Sequence, residues 1–143
     1  MAPEIYECTF RSRAQYKPFD GHAIDVWALG PIIFALLSGG IVPWENPHSR
    51  VNQSFDTFCY GSQEQLVSWV RGFWTRHSRR LYSLGFNENS WLALWFERNT
   101  ETNQWQSTAC FSLFRDICRY NPRDRLSLRQ VRDHDWMNPR NGT

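Results

Sequence analysis

A mainly α-helical domain arranged around one central buried helix is what this sequence predicts, and three observations predict it. From Val26 to Leu37 no side chain can ionise, and a helix that is apolar on every face is a buried one. The other periodic stretches repeat at helical spacing: Leu66, Trp69, Val70, Phe73 and Trp74, then Cys110, Phe111, Phe114, Ile117 and Cys118. No stretch alternates convincingly as a strand. A hydrophobic content of 41%, with 16% aromatic residues, excludes a disordered chain. The 143 residues amount to one domain.

Residues 1–20 read as irregular, because Pro3 and Pro18 interrupt any helix and Arg11, Ser12 and Arg13 are polar. The central helix opens after Asp20-Gly21. Asp25 lies near its start, where a carboxylate suits the helix dipole. Ser38-Gly39-Gly40 closes it as a C-cap signal. Its apolar run is shorter than the about 20 residues of a membrane span. Pro31 inside it predicts a kink or a later start, since an interior proline costs about 3 kcal/mol.

Pro43-Trp44-Glu45-Asn46-Pro47 is a turn, and residues 48–61 show no clear period. Ser62 with Gln65 is a capping box, opening an amphipathic helix weakened by Gly72. Arg76, His77, Arg79 and Arg80 end it as a basic knot, read as solvated charge complementing the dipole, with a phosphate-binding or docking patch as the alternative. Ser90 is expected to cap a short helix from Trp91 to Arg98, and Asn99–Gln104 to form a polar loop. A helix follows over Ser107–Tyr120, ended by Asn121-Pro122. Ser127 with Gln130 caps a last short helix.

The net charge of +2 is too small to argue for a nucleic-acid or membrane partner. Lys17 is the one lysine among 16 basic residues, the rest being arginine. Cys8, Cys59, Cys110 and Cys118 have no C-x-x-C spacing, so they read as scattered reduced thiols. With no apolar signal core at the N-terminus, the expectation is a cytoplasmic protein. No histidine set has zinc-ligand spacing, and His22 with Asp25, or His134 between Asp133 and Asp135, reads as structural rather than acid–base chemistry. The aromatic stripe of residues 66–74 reads as core or interface rather than a base-stacking platform.

Four blocks, taken in order, resemble the C-terminal half of a Ser/Thr protein kinase domain. Ala2-Pro3-Glu4 is similar to the motif that ends the family's activation segment. Asp25-Val26-Trp27-Ala28-Leu29-Gly30 is similar to the start of its large C-lobe helix. Asn121-Pro122-Arg123-Asp124-Arg125 carries, at Arg125, the arginine that pairs with the motif glutamate. His134 and Trp136 match the His-x-Trp that closes the last helix. Residues 45–107 match poorly. Phe73-Trp74-x-x-His77 is similar to a phrase of calmodulin-dependent-type kinases of protists. The resemblance implies a partial kinase domain over 1–137 with a tail at 138–143. It also implies a buried Glu4–Arg125 ion pair, and a role for Asp25 in accepting backbone N–H groups of the catalytic loop. The family's basophilic members carry a glutamate where Ala35 stands, so that specificity determinant is missing.

Phosphoryl transfer from ATP needs a loop over the phosphates, a lysine on them, a catalytic Asp with its Asn, and a metal-holding Asp. The sequence has no G-x-G-x-x-G, no His-Arg-Asp and no Asp-Phe-Gly, and Lys17 precedes Pro18 in a loop. ATP and Mg²⁺ belong to the complete family domain; this chain is expected to hold no cofactor or metal and no catalytic residue. The expectation is an inactive C-lobe fragment whose partners are protein, above all the N-lobe and catalytic loop of the same kinase. The alternatives are a kinase-derived helical scaffold, or pseudokinase, docking through its Trp-rich middle, and an unrelated all-helical binding domain.

Overall fold

The computed structural model describes residues 2–5, 20–44 and 52–138. Residues 3–5 form a helical turn. The elements that follow are α1 (Gly21–Ser38), α2 (Gln53–Tyr60), α3 (Gln63–Ser83), α4 (Glu88–Trp95), β1 (Phe96–Arg98), β2 (Trp105–Ser107), α5 (Ala109–Ile117) and α6 (Leu128–Arg132). Two 3-10 turns, Pro122–Asp124 and Asp135–Met137, flank α6. The fold is mainly helical, as the sequence predicts.

Helix α1 starts at Gly21, capped by Asp20, whose carboxylate accepts the N–H groups of His22 and Ala23. Asp25 is therefore the fifth helical residue, exposed, and not part of the cap. Gly39, at φ 71°, ends the helix in the left-handed conformation that glycine adopts without strain. Buried Ser38 bonds back to the Phe34 carbonyl at 2.7 Å and accepts from the Ile41 N–H. At 18 residues and mean hydropathy 1.5, α1 is long and apolar enough to cross a membrane by length and composition. Length alone therefore does not separate it from a span.

Its surroundings are those of a core helix on one side. Val26, Trp27, Gly30, Phe34 and Ser38 form a buried stripe at spacings of three and four. Phe34 is the hub of an aromatic core, its ring within 5.0–6.1 Å of Phe73, Trp95, Phe114, Trp69 and Trp91. Burial does not extend to every face: the opposite side is bare, as expected where the helices that follow α1 can cover one side only. Ala28 is exposed, Ile32 is 52% exposed and Leu36 78% exposed.

Pro31 stays inside α1 and does not delay its start. Proline has no N–H, so the Trp27 carbonyl lacks its usual helical donor. The Cys118 thiol lies 3.8 Å from that oxygen and takes the donor's place. The same thiol explains Gly30. A Cβ there would sit 2.0 Å from Cys118 Sγ and 3.3 Å from Ile117 Cγ2, so only glycine lets α5 lie this close to α1.

Several local expectations shift. Residues 53–60 are helical, capped by Asn52, although their sequence shows no period. The Ser62–Gln65 box opens α3 as expected, but His77 breaks the helix with φ −128° and ψ 24°. Asn87, not Ser90, caps α4; Ser90 is the third helical residue and completes the box by accepting the Asn87 N–H. Helix α4 ends at Trp95, and Phe96–Arg98 turns into a strand paired antiparallel with Trp105–Ser107. The expectation of no strand is thus corrected: each strand is three residues long, too short to show alternation. The polar Asn99–Gln104 segment is the loop between them. Helix α5 is shorter than expected, beginning after its cap Thr108. The Ser127–Gln130 box caps α6.

Trp91 and Trp95 are fully buried and Trp69 nearly so. The indole N–H of Trp69 reaches Ser54 Oγ at 2.6 Å and that of Trp91 the Val70 carbonyl at 3.0 Å. These three tryptophans are core, while Trp74 and Trp105 are half-buried at its edge. Cys59, Cys110 and Cys118 are free thiols; burial pushes those of Cys59 and Cys110 up to about 12, and that of Cys118 well above its ordinary value. They are packing residues rather than nucleophiles. Cys8 lies outside the described residues.

Candidate functional site

The polar centre of the molecule is one arginine. Asn121 accepts the Arg123 N–H at 3.0 Å and Pro122 opens the 3-10 turn, a placement that suits its fixed φ. The chain leaves that turn extended at Arg125, and the Leu126 N–H returns to the Asp116 carbonyl of α5. Arg125 therefore points back beneath the C-terminal end of α5. Its side chain is 1% exposed.

All five of its N–H donors are used. Nη1 donates to Glu4 Oε2 at 2.7 Å and Nη2 to Glu4 Oε1 at 2.8 Å, a bidentate fork on one carboxylate. Nη1 also reaches the Ala23 carbonyl at 3.3 Å, Nη2 the Tyr120 carbonyl at 3.1 Å, and Nε the Arg119 carbonyl at 2.7 Å. A buried guanidinium is costly unless charge and donors are both matched, and here both are. One side chain joins the helical turn at residues 3–5, the first turn of α1 and the end of α5. Ala2 and Pro3, beside Glu4, are buried, so the segment is held by packing as well as by charge.

The remaining residues singled out by motif are dispersed around this clamp. Trp27 is fully buried, with its ring 5.9 Å from that of Trp44, and Gly30 is the contact point with Cys118. His134 caps the Asp135–Met137 turn, its Nδ1 accepting the Trp136 N–H at 3.1 Å, and half-buried Trp136 packs against the core. Asp25 stays apart. It is exposed, no described residue bonds its carboxylate, and it stands at the head of the stripe continued by Ala28, Ile32 and Leu36. Among the described residues no three His, Cys, Asp or Glu side chains come together to hold a metal.

The arrangement binds parts of the chain to each other, and among the described residues it presents no nucleophile beside a base. Sequence motifs identified both ends of the ion pair. They missed its other acceptors, the carbonyls of Ala23, Arg119 and Tyr120, because a backbone oxygen leaves no mark on residue type. They also missed the pairing of Gly30 with Cys118, although a glycine in an otherwise bulky apolar helix is a sign of close approach.

A protein kinase domain family model matches residues 1–137. Serine/threonine-protein kinase KSP1 of Saccharomyces cerevisiae is 37% identical over 60 residues, covering 42% of this chain and 5% of that kinase. Serine/threonine-protein kinase CHK1 of Mycosarcoma maydis is 34% identical over 55 residues, covering 38% of this chain and 8% of that kinase. The chain thus spans less than a tenth of either relative. No solved structure is a significant match. With the match running from the Ala-Pro-Glu block through the Glu4–Arg125 clamp to the His-x-Trp turn, the chain belongs to the protein kinase domain family.

Proposed function

We propose that this chain is the helical C-lobe part of an ATP-dependent Ser/Thr protein kinase, and that it performs no phosphoryl transfer by itself. The observation that carries the reading is the Glu4–Arg125 clamp. It fixes the end of the segment that, by the family resemblance, lies next to the substrate, onto the helices that form the lobe's base. The chain's residues then hold and orient. Glu4 and Arg125 anchor that segment, Trp27 and Phe34 fix α1 in the aromatic core, and Asp25 offers a carboxylate with no partner among the described residues for backbone N–H groups of a catalytic loop supplied from elsewhere. ATP and Mg²⁺ would be held by that other part, which carries the phosphate loop, the lysine and the catalytic and metal-holding carboxylates.

The bare stripe of α1 fits the same reading. Ile32 and Leu36 are more than half exposed on a helix whose other side is fully packed, and burial is worth about 25 cal/mol per Å² of apolar surface. We assign that face to the remainder of the kinase domain. The scaffold alternative is less well supported, because three of the middle segment's tryptophans, Trp69, Trp91 and Trp95, are spent in the core and Trp74 and Trp105 are half-buried.

Calorimetry with Mg-ATP and a phosphorylation assay on a generic protein substrate test the proposal. The expected result is no saturable heat and no phosphate incorporation by this chain alone. Saturable Mg-ATP binding would overturn it. A second check is the dye ANS, which should bind strongly to the uncovered face. A soluble monomer that melts sharply and ignores ANS would favour the scaffold.

A further inference from the structure

The β1–β2 hairpin stands against the N-terminal half of α3, and between them lies an open cleft of about 300 Å³. Its polar lining is Glu64, Ser68, Arg71, Arg98 and Asn103, with the half-buried ring of Trp105 as its wall. The guanidinium carbons of Arg71 and Arg98 each lie 5.8 Å from the centre of that ring, within cation–π range. Arg98 is the cross-strand partner of Trp105. It is steadied by the side-chain oxygen of Asn103, a residue held in the left-handed region at φ 59°. Neither Arg71 nor Arg98 forms an ion pair with a described carboxylate. Among the described residues Glu64 is the one acid lining the cleft. Glu97 alternates to the other face of β1, and Glu101 lies in the hairpin loop. From Gln65 to Asn87 the sequence has no acidic residue, while Arg71, Arg76, Arg79 and Arg80 all fall there, so the field along α3 is cationic.

We propose that this cleft binds a phosphorylated serine or threonine on a segment of a partner protein, with Arg71 and Arg98 sharing the phosphate. The argument is one of valence. A single guanidinium fork matches the one charge and the two oxygens of a carboxylate, as Arg125 does for Glu4. A phosphate monoester carries about two charges and three acceptor oxygens and can engage two forks at once. Glu64 repels such a dianion, but the two guanidinium groups outweigh the one carboxylate. The volume is at the lower limit of small-ligand pockets and the cleft is open, which suits one side chain of an extended peptide better than an enclosed metabolite. The site lies far in sequence from the clamp, and the proposal stands independently of the catalytic reading above.

The test is fluorescence anisotropy of labelled pentapeptides carrying phosphoserine, serine or glutamate at the centre, titrated with the whole chain at fixed ionic strength. Saturable binding of the phosphoserine peptide is expected, at least tenfold tighter than either control. R71A and R98A should each weaken it about tenfold. R98K should be nearly as weak as R98A, because lysine keeps the charge but loses the fork. E64Q should tighten binding severalfold, which a merely structural role would not do. Equal binding of the serine peptide, or indifference to either arginine, would overturn the proposal. A labelled oligothymidylate that binds tighter than the phosphopeptide through the same arginines would overturn it in favour of nucleic acid. Displacement by millimolar inorganic phosphate as effectively as by unlabelled phosphopeptide would overturn the peptide's part in recognition.

Discussion

Two arginine sites in this molecule differ in how their donors are spent. Arg125 is buried, makes five hydrogen bonds to protein acceptors and grips one carboxylate with both nitrogens of its fork. Arg71 and Arg98 are exposed, lie over one indole and have no carboxylate partner among the described residues. The first site has no donor left to offer a ligand, so its role is cohesion. The second contributes little cohesion: apart from the Arg98 bond to Asn103, its side-chain donors have no hydrogen-bond acceptor among the described residues. Residue type alone does not separate a staple from a binding group; the count of satisfied donors does.

The largest test of that contrast removes the staple. Arg125→Ala leaves the Glu4 carboxylate and three backbone carbonyls without their donor, and breaking a buried pair costs about 3–5 kcal/mol. In a domain of this size that corresponds to a fall in Tm of about 10–20 °C. Arg125→Lys should recover little of it, because an ammonium cannot supply the planar five-donor fork. Glu4→Ala should be comparably destabilising, because it strands a guanidinium that is 1% exposed with carbonyl acceptors but no counter-charge. Thermal melts followed by circular dichroism give all three. A Tm for Arg125→Ala within a degree or two of the parent would mean that the clamp does not hold the fold.

A second variant asks whether the region round the clamp depends on charge alone or also on close approach. Gly30→Ala drives a Cβ onto Cys118 Sγ, 2.0 Å away, at the point where α5 lies on α1. Overpacking of this kind costs about 1–3 kcal/mol. Adding Cys118→Ala removes the colliding sulfur and should restore part of the loss, leaving the milder approach to Ile117 Cγ2 at 3.3 Å. Strictly additive effects in urea titrations of the two singles and the double would show that the two side chains do not meet.

The opposite expectation holds for the cleft. Arg71→Ala and Arg98→Ala remove exposed side chains with no ion pair, so each should change stability by no more than about 0.5 kcal/mol. A loss above 1 kcal/mol from either in the same melts would make the cleft a second staple and erase the contrast.

How far each region could be read from sequence follows the same division. The clamp was legible because Ala2-Pro3-Glu4 and Asn121-Pro122-x-x-Arg125 are local phrases whose pairing the family resemblance supplies. The capping boxes at Ser62 and Ser127 were legible because their chemistry is complete within four residues. The cleft was not. Arg71 and Arg98 stand on different elements, and they meet only because Phe96–Arg98 pairs with Trp105–Ser107. Strands of three residues carry no period. The turn-forming residues Asn99 and Asn103, between flanks bearing Phe96 and Trp105, were the one available signal for a hairpin. Helix α1 was legible in position and misleading in burial, because an uncharged run says that a face avoids water without saying what covers it.

The smallest effect concerns His77, where the cationic stretch of α3 breaks its helical course. Its ring lies parallel to that of Phe73, with centroids 6.4 Å apart, and Arg76 and Arg80 are its charged neighbours. Desolvation, then repulsion from Arg76 and Arg80, holds its pKa below the ordinary 6.5. In the window between that lowered value and 6.5 the unfolded chain binds more protons than the folded one, so stability rises with pH. Protonation of His77 should accordingly cost stability as pH falls from about 7.5 to 5.5, a range above the titration of ordinary carboxylates. Urea titrations at both pH values should show a decrease for the parent chain and a flatter response for His77→Gln. The glutamine stays neutral throughout, so only the proton-linked part of the slope is lost. An equal slope in both chains would place the pH dependence elsewhere, on groups other than His77.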